Sequence, residues 1–389
     1  MTATARPGSR WSPRPLSASV TQRHQDGAAA TLEVHTTLGP LREQWDAMVT
    51  AATVPPVDWR SWWIEGSAVP HVRFLLVVQG GRLLGGLAVE HRSILGVPML
   101  RLAGHDQHVA DCDILTAAGA ADTVLTCLRP WFRLLGGCLV DFNGVRQDSL
   151  LRMALPPGIR EHAHALGGAP VAHFPDGFDA YLRRRSSSWR SNYRRNARRL
   201  EAWDYRHRRL TSGEVETGLA ALRRLHGQRF SDRSDFLPSF ERFADAARIG
   251  SPRGELVFHV LARGHDIIAV NAVVELGAYW SYYQGGRNTD DERFQGAGTV
   301  LLGKIIEDGC ARGAHSLDLG LREDTYKLRM ADEVRPARRL KGGIGWAAPV
   351  AHGAGAVREH APRRAVSVLR SVRRAVRRAR RRSRYATPK

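Results

Sequence analysis

Three apolar runs rich in β-branched and aromatic residues, Glu255–Ala262, Asp266–Leu276 and Tyr279–Gln284, follow one another with only short breaks at Arg263-Gly264-His265 and Gly277. Connections that short join antiparallel neighbours, so this stretch is expected to form a three-strand meander. Upstream, Phe178, Leu182, Trp189, Tyr193, Leu200 and Trp203 recur at helical steps and make one stripe, interrupted near Ser186–Ser188. Thr211 with Glu214 carries the signature of a capping box before a helix whose Leu219, Leu222, Leu225 and Phe230 keep the same period. A further helix from Pro238 to Arg248 should stop at Gly250, and beyond the meander a Gly-containing loop leads to a helix from about Thr299 to Arg312 and a strand at Ser316–Leu319.

The first half has a different rhythm. A helix near Leu41–Val49, a Trp-rich stretch (Trp59, Trp62, Trp63) and a hairpin made of Arg73–Val78 and Leu83–Glu90 precede a helix over Ala121–Leu135 and a buried strand at Cys138–Phe142. The chain of 389 residues is long enough for two domains. Residues 1–30 have too few large apolar side chains to bury a face and are expected as a disordered lead-in. The Gly167-Gly168-Ala169-Pro170 cluster marks a boundary near residue 172, which divides the body into 31–172 and 173–350 and leaves 351–389 as a basic tail.

The net charge of +20 is local in origin. Residues 357–389 hold thirteen Lys and Arg against Glu359 alone, residues 181–210 hold eleven Arg against Glu201 and Asp204, and the rest is close to neutral. The tail spaces Val366, Leu369, Val372 and Val376 helically among arginines, which suits an anionic membrane surface, a nucleic-acid phosphate backbone or a tail of no specific function. No run of about eighteen apolar residues and no apolar signal core exist, and Cys112, Cys127, Cys138 and Cys310 are scattered. A cytoplasmic protein, peripheral to the inner membrane surface if the tail docks there, is the expectation.

Arg293-Phe294-Gln295-Gly296-Ala297-Gly298 lies between the third meander strand and a helix. Two glycines there admit close approach of a ligand, and the helix start offers unpaired N–H groups and a positive dipole end, a site suited to a pyrophosphate. Neither the dinucleotide fingerprint nor a Walker loop is present. In this slot the segment resembles the Arg/Gln-x-x-Gly-x-Gly/Ala loop of the GCN5-related N-acetyltransferases (the GNAT superfamily).

Residues 175–346 further resemble the acetyltransferase-like domain of CelD/BcsL proteins, associated with cellulose or exopolysaccharide biosynthesis and similar in turn to the Fem aminoacyltransferases. The features are the Arg-rich helix Trp189–Arg199, Leu225-His226 before Arg229, the strand Tyr279–Gly286, Gly296 and Gly298, Asp318-Leu319-Gly320, and Tyr326-Lys327. The sequence departs from that pattern at Arg287-Asn288, where an Asp is common, and near Met330, where a Trp is expected.

The resemblance implies an α/β fold with mixed sheets in two tandem GNAT-like domains, the first without an acyl-CoA loop. It implies acetyl-CoA or another acyl-CoA as co-substrate, held by Arg293, Gln295, Gly296, Ala297, Gly298 and Thr299. Tyr326 takes the family role of protonating the leaving sulfur, or else is a half-buried tyrosine that simply finds a partner. Lys327 stabilises charge at the reacting carbonyl or is a solvated helix lysine. For the general base, Asp318 ranks ahead of Glu275 and His226.

His105-Asp106-Gln107-His108 with Asp111-Cys112-Asp113 has no closed tetrahedral spacing, so no metal is expected, and a polar loop facing the acceptor cleft is the better reading. The face bearing Arg183–Arg185, Arg190, Arg194, Arg195, Arg198 and Arg199 suits an acidic acceptor, CoA or RNA, or is a solvated basic face.

The function expected is an acyl-CoA-dependent N-acyltransferase that moves a group other than aminoacyl to an amine-bearing small molecule or sugar in polysaccharide or cell-envelope biosynthesis. The alternatives are a Fem-like aminoacyl-tRNA-dependent transferase and a non-catalytic basic adaptor acting through residues 357–384.

Overall fold

The computed structural model describes residues 20–23, 29–67, 71–94, 96–104, 111–230, 233–349 and 351. The His105–His108 cluster and the basic tail 357–389 lie outside the described residues. Strands β1 (Val20–Arg23), β2 (Ala29–His35), β3 (Val72–Gln79), β4 (Arg82–Ile94) and β5 (Val97–Leu102) are successive antiparallel neighbours. Gly80 and Gly81, both at positive φ, make the tight β3–β4 turn foreseen from sequence. The two-residue β6 (Leu115–Thr116) sits on β4, and β7 (Gly137–Arg146) runs parallel to β5 at Met99↔Leu139 and Leu100↔Val140. β8 (Arg160–Ala163) closes the far edge.

Part of the expected lead-in is therefore ordered: β1 pairs with β2 in register Val20↔Leu32. An edge strand is held by main-chain hydrogen bonds and needs little apolar burial, which is why composition does not reveal it.

Helices α1 (Arg42–Ala51), α2 (Ser61–Gly66), α3 (Ala121–Leu134) and α4 (Leu151–Ala154) accompany this sheet. α3 buries Val124, Leu125, Leu128, Trp131 and Phe132 at helical spacing.

The second sheet opens with β9 (Ala169–His173), then α5 (Phe178–Arg184) and α6 (Ser187–Ala202). The expected interruption of the aromatic stripe falls between these helices, where Ser186 caps α6 by accepting the Trp189 N–H at 3.2 Å. β10 (Arg206–Arg209) is followed by the Thr211–Glu214 capping pair, with Glu214 accepting the Thr211 N–H at 3.0 Å, and by α7 (Val215–Phe230) and α8 (Phe240–Gly250). The meander is β11 (Leu256–Arg263), β12 (Asp266–Leu276) and β13 (Tyr279–Arg287), all antiparallel. Then come α9 (Ala297–Ala311), β14 (Ser316–Asp318), α10 (Thr325–Leu328), β15 (Glu333–Arg335) and β16 (Ala337–Gly345).

The two sheets exchange strands across the boundary expected near residue 172. β9 joins the second sheet, between β14 and β15, and β16 returns to the first, between β7 and β8. Each domain is completed by a strand from the other side of the linker, a pairing that no local sequence signal reports.

The halves also share a core. Trp63 packs edge-on against Tyr283, 4.6 Å between centroids, and near Phe243. Arg60 makes a two-point pair with Glu255 at 2.6 and 2.7 Å, and Trp62 donates to the same carboxylate at 2.6 Å. The pair lies at the α2–α8 contact, where Gly250 meets the Trp62 ring and Gly66 meets Ala246, so the helices approach through small residues.

Candidate functional site

β13 and β14 run parallel for only three registers, Tyr279↔Ser316, Trp280↔Leu317 and Ser281↔Asp318, and then part. Past that point lies a cavity of about 150 Å³. The second domain lines it with Tyr279, Tyr282, Asp318, Tyr326 and Lys327, and the first with Pro55, Val57, Asp58 and Asp111. All three residues singled out for chemistry, Tyr326, Lys327 and Asp318, thus share one interdomain cavity. The β14–α10 connection, Leu319–Asp324, brings the latter two elements to the same wall.

The Tyr326 ring lies under the Arg229 guanidinium at 5.5 Å, and its hydroxyl is hydrogen-bonded with Tyr282. Burial raises both phenols, so both hold their protons at neutral pH. Lys327 is buried, not solvated: its ammonium donates to the carbonyls of Leu321 at 2.8 Å and Gly320 at 3.2 Å. Desolvation pulls it down to about 8, leaving it mostly charged at neutral pH.

Asp318 has little accepting capacity left. Oδ1 takes the Gly320 N–H at 2.6 Å, and Oδ2 takes the Tyr279 hydroxyl at 2.8 Å and the Arg335 guanidinium. Arg335 also reaches Asp111 at 3.0 Å.

His226 lines the same cavity with a settled tautomer. The Gly285 carbonyl can only accept, so Nδ1 carries the proton (3.1 Å) and Nε2 accepts from the Ser234 hydroxyl at 2.9 Å. Burial lowers its pKa and keeps it neutral. Glu275 stands elsewhere, held by both Arg209 amino nitrogens at 2.8 Å and by His259 at 2.9 Å. The sheet explains the separation: Glu275 is near the end of β12, paired with Trp280, outside the opening between β13 and β14.

The glycine loop becomes the start of α9, with Gly296 as N-cap and Ala297, Gly298 and Thr299 in the first turn. A Cβ at Gly296 would lie 2.5 Å from Asn196 Cγ on α6, so this glycine is demanded by packing. Gly298 is open, the nearest atom to a Cβ being Arg287 Cδ at 3.5 Å. Arg293, expected beside phosphates, is exposed and folded back on Asp291 at 2.6 Å. Gln295 caps a single 3-10 turn, Glu292–Phe294, through its N–H.

The arginine beside Gly298 is Arg287, half-buried and held below its ordinary pKa by burial and by Arg229. Neither of these two arginines has a carboxylate partner among the described residues. Two neighbouring cations between a helix N-terminus and the Tyr326 ring make a positive region whose charge suits an anionic group.

Several expectations are corrected at side-chain level. Arg185, counted with the basic face, is buried and donates to the Met330 and Ala331 carbonyls at 2.7 and 2.6 Å, while Arg183, Arg194, Arg195 and Arg198 are exposed. Met330, in place of the expected Trp, is a fully buried core residue. Asp113 caps α4, accepting from the Ser149 hydroxyl at 2.6 Å and the Leu150 N–H at 3.1 Å. Among the described residues no group of three or more His, Cys, Asp or Glu could hold a metal, and no helix is long and apolar enough to cross a membrane.

Arg335, Tyr279 and the pairing of Asp111 with Asp318 escaped sequence reasoning. The Asp318-Leu319-Gly320 turn was the available signal, and Arg335 on β15 had none.

Residues 187–328 match the family described as "Acetyltransferase (GNAT) domain". FemX resembles the chain with TM-score 0.58 at 10% identity, covering 82% of this chain and 98% of FemX. A C-terminal domain assigned to lysylphosphatidylglycerol synthetase from Agrobacterium fabrum has TM-score 0.52 at 12% identity, with 81% and 95% covered. The L-PGS structure from Bacillus licheniformis has TM-score 0.52 at 12% identity, with 79% and 93% covered. No curated protein matches the sequence. The fold is thus two GNAT-like α/β domains with mixed sheets, carrying a GNAT-type acyltransferase domain in the second half. Nothing in these likenesses excludes aminoacyl transfer, contrary to the sequence expectation of a group other than aminoacyl.

Proposed function

We propose that the protein is an N-acyltransferase that takes its acyl group from acetyl-CoA or another acyl-CoA and delivers it to an amine in the interdomain cavity. One observation carries this reading: Tyr326, a protonated phenol, and Lys327, a buried ammonium, face the cavity where β13 and β14 part, beside the Arg229–Arg287 pair and the start of α9. Phosphates of the donor would meet the first-turn N–H groups at Ala297, Gly298 and Thr299 together with Arg287. Arg293 takes a subsidiary place because Asp291 already neutralises it. When bound, the donor supplies an activated thioester, and the chain's residues do the rest.

Lys327 stabilises the oxyanion as charge develops on the acyl carbonyl. Tyr326 hands its proton to the departing sulfur, and the Arg229 guanidinium over its ring favours the phenolate left behind. Asp318, tied by three donors, orients this wall of the cavity. The CelD/BcsL resemblance suggests an amine-bearing sugar or envelope precursor as acceptor, in the cytoplasm or at the inner membrane surface.

Titration calorimetry of acetyl-CoA into the full chain tests the donor site. Micromolar binding, abolished by Gly298→Trp at unchanged melting temperature, is expected; absence of binding to acetyl-CoA and to longer acyl-CoAs would overturn the reading.

A second reading, an aminoacyl-tRNA donor, is favoured by the likeness to FemX and to the lysylphosphatidylglycerol synthetase domain, and by the exposed Arg194, Arg195 and Arg198 of α6. Tight tRNA binding that weakens steeply with salt, without CoA binding, would select it.

A further inference from the structure

Asp111 is brought into the second domain's chemistry from outside it. It belongs to the segment between β5 and α3, sits at φ +56, and carries its carboxylate to Arg335 on β15 at 3.0 Å and to Asp318 on β14, with which it is hydrogen-bonded. Two carboxylates in hydrogen-bond contact cannot both be ionised without cost, which favours uptake of one proton at Asp111. The groups around it are Arg335 from β15, Tyr279 from β13, Arg146 from β7 and Asp318 itself. Asp318 is already saturated by Tyr279, Arg335 and Gly320, whereas Asp111 lines the same cavity as Tyr326 and Lys327.

We infer that the proton acceptor for the incoming ammonium is the Asp111–Asp318 pair, with Asp111 of the first domain as the carboxylate that receives the proton. The inference rests on the acyl-transfer reading and names a residue that the acyltransferase domain does not itself contain. The ammonium gives one proton to the Asp111 carboxylate, and the free amine attacks the acyl carbonyl, forming the C–N bond. The C–S bond breaks as the tetrahedral adduct collapses, and the thiolate takes the Tyr326 proton. The nitrogen's second surplus proton restores Tyr326, and Asp111 releases its own to solvent, so that ammonium and thioester become amide, thiol and one proton.

Burial and Asp318 raise the Asp111 carboxyl to about 7, against the opposing pull of Arg335, which suits a base working near neutrality.

The test has two independent arms on the full chain. In the first, carboxyl carbons of 13C-labelled aspartate are followed by NMR against pH. One resonance should titrate near neutrality, vanish in Asp111→Asn and move to lower pH in Asp318→Asn. In the second, acyl transfer from acetyl-CoA to a panel of amines is measured. Asp111→Asn should lower kcat at least 100-fold with unchanged acetyl-CoA affinity and remove the acidic limb of the pH profile, and Asp111→Ala should regain activity with added formate.

An aspartate titrating only in the ordinary range, or an Asp111→Asn variant with full activity and an unaltered acidic limb, overturns the inference. Failure of the wild type to bind or use any acyl-CoA while the neutral-range titration is present overturns the acyl-CoA reading instead and leaves the proton uptake at Asp111 standing.

Discussion

The two halves of this molecule are built on one plan and differ at one connection. In each, an antiparallel meander ends in a strand that pairs in parallel with the strand following a long helix: β5 with β7 across α3, β13 with β14 across α9. Each sheet then accepts a strand from the other side of the chain, β16 in the first and β9 in the second. The difference lies in what precedes the helix. Before α9 the chain is short and ends in Gly296, leaving the helix start beside Arg287 and Arg229. Before α3 it is long, forms β6, and projects Asp111 into the other half's cavity. On the proposed reading, one connection receives the donor's anion and its counterpart supplies a carboxylate, so a repeated architecture yields one composite site.

Experiments can break this comparison, beginning where the effect is largest. Tyr326→Phe removes the proton donor with little loss of packing and should lower kcat by about 10²- to 10⁴-fold while donor affinity holds, as read by steady-state kinetics and calorimetry. An equal fall in affinity would mean that the tyrosine binds and does not act.

Next comes the seam between the halves. Arg60→Ala leaves the half-buried Glu255 carboxylate with only Trp62 and the longer Arg253 contact and should cost about 3 kcal/mol in denaturant unfolding. A transition that splits in two would show that the shared core does not couple the domains.

The pH dependence of stability is comparable in size. Lys327 titrates at about 8 when folded against an ordinary 10.5, so between these values the unfolded chain binds more protons and stability must rise with pH. The full contribution is roughly 3 kcal/mol, and Lys327→Met should flatten the rise in melts between pH 8 and 10.5.

The smallest effect compares the two helix starts directly. Gly296→Ala must push Asn196 aside and should cost about 1–3 kcal/mol, whereas Gly119→Ala before α3, open but at φ +75, should cost about 1 kcal/mol. Melting temperatures rank the two, and donor binding should respond only at Gly296.

Much of the second half was legible before any coordinates. Its meander, its helices and the break at Ser186 rest on periodicity and capping, which are local, and β11, β12 and β13 fall close to where the apolar runs place them. Tyr326, Lys327 and Asp318 were legible as a family pattern, and they do meet in one cavity. Arg293 and Glu275 show what sequence does not report, namely which groups already have partners: Asp291 pairs with the first, Arg209 and His259 with the second.

The sequence by itself determined the elements, the order of the second domain and the glycines that let α9 begin where it does, because these depend on contacts within a few residues. Only the tertiary structure decided the exchange of β9 and β16, the seat of Arg287 beside Gly298, and the meeting of Asp111 with Asp318 under Arg335. Those follow from which strand edges remain open and which buried charges need a partner, questions that the chain answers only once both halves are folded against each other.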